Sequence, residues 1–157
     1  MPQPRWVVVS TFLLSLAGLG VSIYMTVAHY AGAQVLACPV SHVINCEAVT
    51  TSPQSYFLGV PVVLLGLTNF VAMVGLTSPW AWRSSTKWVE QFRITLVAVA
   101  TAFVLWLVYA ELMIIKHICI WCTSIHVITF ALLAVIGLSM NRVKDSGQQE
   151  QSSGSSQ

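Results

Sequence analysis

Apolar residues in this chain fall into four long runs divided by short polar breaks, without the two-residue alternation or one-sided stripes of a soluble domain. The runs cover approximately residues 6–28, 57–77, 92–115 and 118–140. Each is long enough to cross about 30 Å of hydrocarbon, which takes about 20 helical residues. The first carries no charge between Arg5 and His29. The second contains Pro61, which either opens the continuous helix or kinks it, since proline lacks an N–H and crowds the preceding turn. Arg93 and Glu111 sit near the two ends of the third, and only Lys116 and His117 separate it from the fourth. The pattern predicts an all-α polytopic membrane protein: one four-transmembrane-helix bundle over residues 1–144. The segment 145–157, DSGQQEQSSGSSQ, is polar and low in complexity, so a disordered cytoplasmic tail is expected there.

Composition strengthens this picture. The chain is 56% hydrophobic and 8% charged, whereas soluble domains are about one quarter charged. A scattered net charge of +2 gives no basis for nucleic-acid binding, and no glycine-rich phosphate loop is present. Ala31-Gly32-Ala33 has the look of a signal-peptidase site. The apolar stretch before it exceeds the about 7–15 residues of a signal core, however, so a retained anchor is expected. With both termini cytoplasmic, Arg5, Arg83, Lys87, Arg93, Arg142 and Lys144 all fall inside, and Lys116 alone of the seven basic residues lies outside. Insertion keeps positive charge on the cytoplasmic side, which selects that orientation. The tryptophans of SPWAWRSSTKWVEQ (78–91) suit a headgroup-level belt on the inner loop.

This orientation puts all four cysteines on the outer side, where disulfides form and exchange. Cys119 and Cys122 open the fourth helix as a CxxC motif. Their i, i+3 spacing puts both sulfurs on one face, and the helix start favours thiolate. Cys38 and Cys46 occupy the first outer loop. Bland readings stand beside the redox one: buried apolar cysteines, or two static disulfides. Zinc is disfavoured because only one pair has knuckle spacing, and haem attachment because Thr123 follows the CxxC. In PVSHVINCEAV, Val40, Val43 and Ile44 recur at helical spacing, which predicts a short amphipathic helix on the membrane surface. It would carry Cys46 towards Cys119 and leave Cys38 nearer water. Ser52-Pro53 reads as an N-cap followed by a first-turn proline. Glu111, costly in hydrocarbon, should face the bundle or water, and His126 is the histidine deep enough to touch a bound ring.

These residues together resemble the vitamin K epoxide reductase family over about residues 10–140. The resemblance rests on Cys38-x7-Cys46, Ser52 six residues later, Gly59-Val60-Pro61 entering helix two, and Cys119-x2-Cys122 opening helix four. The order of the pairs is the reverse of that in DsbB-type oxidases. The resemblance implies a quinone-linked relay. A thioredoxin-fold partner exchanges with Cys38, Cys46 passes the electron pair to Cys119, and Cys122 faces the quinone ring. Vertebrate members have a longer loop, a tyrosine where this chain has His126, and an asparagine that Ser55 replaces here. The short loop looks bacterial. It implies an inner-membrane protein with a separate DsbA-type partner on the periplasmic side.

The expected function is therefore a membrane thiol oxidase supporting disulfide formation. Its cysteines are Cys38, Cys46, Cys119 and Cys122, with Ser52, Ser55, Glu111 and His126 as supporting residues. The acceptor is a menaquinone, ubiquinone or vitamin K-type quinone, and no metal is expected. A vitamin K quinone or epoxide reductase using the same cysteine relay is the first rival. A structural bundle with inert disulfides is the second.

Overall fold

The computed structural model describes residues 4–32, 35–39, 41–83 and 86–154, with side chains as far as Met140. Ala33 of the signal-like site and Val40 of the expected loop helix lie outside the described residues. Helix α1 spans Arg5–Ala31 and buries Thr11, Ser15, Gly18 and Ser22 on one face. The loop that follows contains the short helix α2, Cys46–Thr50, and a 3₁₀ turn at Pro53–Ser55. Strands β1 (Tyr56–Phe57) and β2 (Val60–Pro61) then form a small antiparallel hairpin. Helix α3 is Val62–Thr77, α4 is Pro79–Arg83, and α5 is Lys87–Tyr109, continued by a π turn over Ala110–Ile115. Helix α6 begins at Ile120 and runs to Gly154.

Helices Arg5–Ala31, Lys87–Ile115 and Ile120–Met140 are long and apolar enough to cross a membrane. The fourth, α3, has 16 residues. That is about 24 Å at about 1.5 Å per residue, short of the hydrocarbon thickness. It starts at Val62 and not at residue 57, because Leu58 (φ 52°) and Gly59 (φ 81°) turn the chain into the hairpin first. Pro61 is its N-cap, so the proline opens the helix and does not kink it. The backbone of α6 is helical beyond the apolar run, through the polar stretch from Asp145 for which disorder is expected. Glutamine and glutamate in that stretch are ordinary helix formers.

The packing departs from that of a soluble bundle, with hydroxyl residues among the apolar ones inside and large apolar side chains outside. Buried positions include the hydroxyl residues Thr11, Ser15, Ser22, Thr77, Thr101, Thr129 and Ser139. Outward positions include Leu13, Ile23, Val71, Val99, Leu105 and Leu138. An apolar exterior around a small, hydroxyl-rich interior is how helices associate in lipid. All of these hydroxyls but that of Ser22 are satisfied by their own helices, as in Thr11 to Val7 O (2.8 Å) and Thr101 to Val97 O (2.7 Å). Thr77 also donates across to Ser15 Oγ at 3.1 Å, joining α3 to α1. A Cβ at Gly18 would collide with the Phe70 ring of α3, and Phe70 is itself buried. Glycine is what lets these two backbones approach.

Arg93 at the opposite end is buried despite its charge. Its Nε donates to Leu76 O at 3.1 Å near the end of α3, and its guanidinium stacks 3.5 Å from the centroid of the Trp82 ring of α4. This cation thus ties three helices together.

The Gly18 contact yields a paired test. Gly18→Ala should destabilise the protein by about 1–3 kcal/mol through overpacking against Phe70. Gly20, which has nothing within 4 Å of an added Cβ, should be neutral or gain up to about 1 kcal/mol on mutation to alanine. Thermal unfolding in detergent measures both, and equal effects would contradict the packing described.

Candidate functional site

Residues 41–45 set the position of Cys46. The Ser41 side chain accepts from the N–H groups of Val43 (3.3 Å) and Ile44 (3.0 Å), closing a turn where a helix is expected from the spacing. Serine hydroxyls compete with helical hydrogen bonding in this way. Val43 is correspondingly exposed. Ile44 then pairs in parallel with Ile118, the residue just before Cys119. The Ile118 N–H donates to Val43 O (2.8 Å) and the Asn45 N–H donates to Ile118 O (3.2 Å). Asn45 caps α2 by accepting from the Ala48 N–H at 3.0 Å. The amphipathic helix expected over 39–49 is thus replaced by a turn, a bridge and the five residues of α2.

A parallel pairing sends both chains off in the same direction. Cys46 leaves the bridge as the first residue of α2, and Cys119 leaves it immediately before α6. Both are buried in one apolar cluster with Met25, Ala28, Leu36 and Val49, and Cys38 and Cys122 pack against it. The structure therefore brings all four cysteines together. Cys38 and Cys46 are joined in a disulfide with 6.2 Å between their Cα atoms. Cys119 and Cys122 are free thiols. The Cys122 N–H points at Cys119 Sγ (3.4 Å), a contact that favours negative charge on that sulfur.

A second clamp holds the Cys38 end of the loop. The Tyr24 hydroxyl donates to Val35 O and accepts from the Ala37 N–H, both at 2.9 Å. Trp121, inside the CxxC, donates from its indole to Ala37 O at 3.2 Å, and its ring packs 4.6 Å from that of Tyr24. Cys38 stays half-buried while Cys46 is 2% exposed, so the loop pair has one accessible sulfur and one enclosed.

Cys122 also lines a cavity of about 350 Å³ bounded by α1, α3, α5 and α6. Cavities of about 300–1,000 Å³ hold small organic ligands. Val62, Leu65, Val99 and Phe103 wall it, and the polar groups reaching it are Ser22, Asn69, Cys122, His126 and Thr129. The buried Ser22 hydroxyl has no hydrogen-bond partner among the described residues. That orphan group, with His126 and Asn69, suits a flat apolar molecule bearing carbonyl oxygens.

A smaller cavity of about 60 Å³ adjoins the first and shares Cys122 and His126 with it. Ser52, Ser55 and Glu111 line this one and are not on the walls of the larger. Ser52 does occupy the N-cap position before Pro53, but its hydroxyl makes no cap bond. It donates backwards to Val49 O (2.7 Å), and Ser55 donates to Ser52 O (2.6 Å). Both hydroxyls thus brace the loop under Cys46.

Sequence reasoning did not single out Tyr24, Asn45, Ile118 or the Trp121 indole. An Asn ahead of Cys-Glu-Ala-Val was a readable cap signal. The Tyr24–Ala37–Trp121 clamp had no local signal. A family model described as the vitamin K epoxide reductase family matches residues 9–136, most of the chain.

Tyr24→Phe removes the acceptor of the Ala37 N–H, a loss of about 1 kcal/mol. Exchange of that amide should quicken about fivefold, as read by hydrogen–deuterium exchange, with the amides of α3 unchanged. Unaltered protection at Ala37 would show that the clamp does not hold the loop.

Proposed function

The chain belongs to the vitamin K epoxide reductase family, and from that premise we propose that this membrane oxidoreductase is a thiol oxidase linking a thioredoxin-fold partner to a membrane quinone. The observation that carries the reading is the placement of the two pairs. Cys46 shares a buried cluster with Cys119, while Cys122 lines a ligand-sized apolar cavity.

In this reading a thiolate of a reduced, DsbA-type partner attacks Cys38, the more accessible sulfur of the loop disulfide, and Cys46 leaves as thiolate. The second partner thiol resolves the mixed disulfide, so the partner is oxidised and the loop pair reduced. The Cys46 thiolate then attacks Cys119 of an oxidised Cys119–Cys122 pair, and Cys122 departs. Attack by Cys38 on Cys46 restores the loop disulfide and leaves Cys119/Cys122 as the dithiol. The described state, with Cys38–Cys46 oxidised and the other pair reduced, corresponds to this last stage. Ser22, Asn69 and His126 would hold the quinone carbonyls, and Val62, Leu65, Val99 and Phe103 its apolar body. A quinone supplies a two-electron acceptor oxidising enough for DsbA-type couples, which sit near about −120 mV.

The charge distribution supports both termini on the cytoplasmic side with the cysteines outside, and the short loop, like that of bacterial members of the family, supports a bacterial inner membrane. Four crossings follow if the β1–β2 hairpin lengthens the short span of α3.

Purified protein in detergent should reduce ubiquinone or menaquinone when supplied with a reduced DsbA-type protein. Cys122→Ala should abolish quinone reduction. Cys46→Ala, incubated instead with the oxidised form of that partner, should be caught as a mixed disulfide in which the Cys38 thiolate has opened the partner's disulfide, visible on non-reducing gels. Undiminished quinone reduction by Cys122→Ala would refute the proposal, and oxidation of the partner by vitamin K epoxide but not by ubiquinone or menaquinone would favour the epoxide reductase.

A further inference from the structure

Oxidising a dithiol to a disulfide releases two electrons and two protons, and converting a quinone to its hydroquinone takes up two of each. The electrons pass directly from sulfur. The protons need a polar carrier, yet the larger cavity is walled mainly by carbon. Glu111 is the only buried carboxyl among the described residues, at 6% exposed. A carboxylate enclosed in apolar surroundings is costly unless it is compensated. No described lysine or arginine forms an ion pair with it.

Its location is specific. The π turn Ala110–Ile115 widens the end of α5 so that two consecutive residues, Ala110 and Glu111, both turn inward. Single π turns often occur at functional positions. Glu111 lies close enough to Cys119 and Cys122 to interact electrostatically with both. It lines the smaller cavity beside Cys122 and His126, the two polar groups shared with the larger one. From α6 it is thus faced by Cys119, Cys122 and His126, and from α1 by His29. The polar residues that the loop contributes, Thr50, Ser52, Gln54 and Ser55, are all uncharged.

We propose that Glu111 is the proton carrier between the Cys119/Cys122 thiols and the quinone. It accepts a thiol proton as the disulfide forms and donates it towards the larger cavity past His126. Two such transfers balance each turnover: two thiol protons and two electrons leave the pair, one disulfide forms, and one hydroquinone results. The inference rests on the quinone-reducing reading given above.

The test is single-turnover oxidation of the pre-reduced protein by ubiquinone-1, followed across pH. Loss of one general acid–base group costs about 100-fold or more. Glu111→Gln should show that loss together with a flattened pH profile, whereas Glu111→Asp should recover at least a tenth of the rate and keep the wild-type profile. An independent readout needs no quinone. Difference infrared spectra of wild-type protein labelled with carbon-13 glutamate, taken between dithiol and disulfide states, should contain a carboxylic-acid band. That band remains informative if Glu111→Gln does not fold. Glu111→Gln oxidised within twofold of wild type with an unchanged pH profile, or no carboxyl band in wild type, would overturn the proposal. Failure of wild type to reduce any quinone would instead overturn the function on which it rests.

Discussion

Ile118 donates its N–H to Val43 (2.8 Å) and accepts from Asn45 (3.2 Å), so segments far apart in sequence share one short parallel ladder. Each bond is worth about 1 kcal/mol, which is little for global stability. Their value is geometric. Cys46 and Cys119 are the next residues on each strand of the pairing, and both emerge at a helix start into a common buried cluster. Without the ladder, the loop between α1 and α3 would be tied to α6 mainly by the Trp121 bond to Ala37. Cys46 would then sample many positions, and an exchange between buried sulfurs would lose the orientation that makes it fast.

The bundle beneath is built to hold that ladder still. Small and hydroxyl residues on α1 bring it close to α3, as at Gly18 against Phe70 and Ser15 against Thr77. Arg93 fastens the far end through Leu76 and Trp82. Where α5 reaches the cysteines, regular helix gives way to the π turn, and α6 starts again after Lys116 in a left-handed conformation. The two cavities lie below the loop, so the sulfurs sit between a solvent-facing strap and an apolar chamber. Enclosure and access are separated by the two ends of the CxxC: Cys119 is sealed, and Cys122 opens inward.

Long-range order was legible in the sequence because lipid imposes it. Apolar runs marked the helices, and the CxxC placed its sulfurs on one helical face. Pro61 was readable as a helix start, though the preceding Leu58-Gly59 turn, lacking an Asn or Asp, concealed the hairpin that delays α3. The loop was misread for a definite reason. Val40, Val43 and Ile44 fit a helical period, but the Ser41 hydroxyl captured two of the N–H groups a helix would use, and Ile118 captured the next. Pairing with a residue on another helix leaves no periodic trace. Glu111 could be flagged as an expensive charge, but its inward turn beside the thiols depends on the π geometry, which propensity does not reveal.

The central claim is that the ladder presents Cys46 to Cys119. The most direct measurement is made on the Cys38→Ala/Cys122→Ala protein, in which only those two cysteines remain. On mild oxidation in detergent, peptide mapping by mass spectrometry should find them joined in an intramolecular disulfide, in good yield and without partner or quinone. Two free thiols, or only intermolecular dimers, would contradict the account.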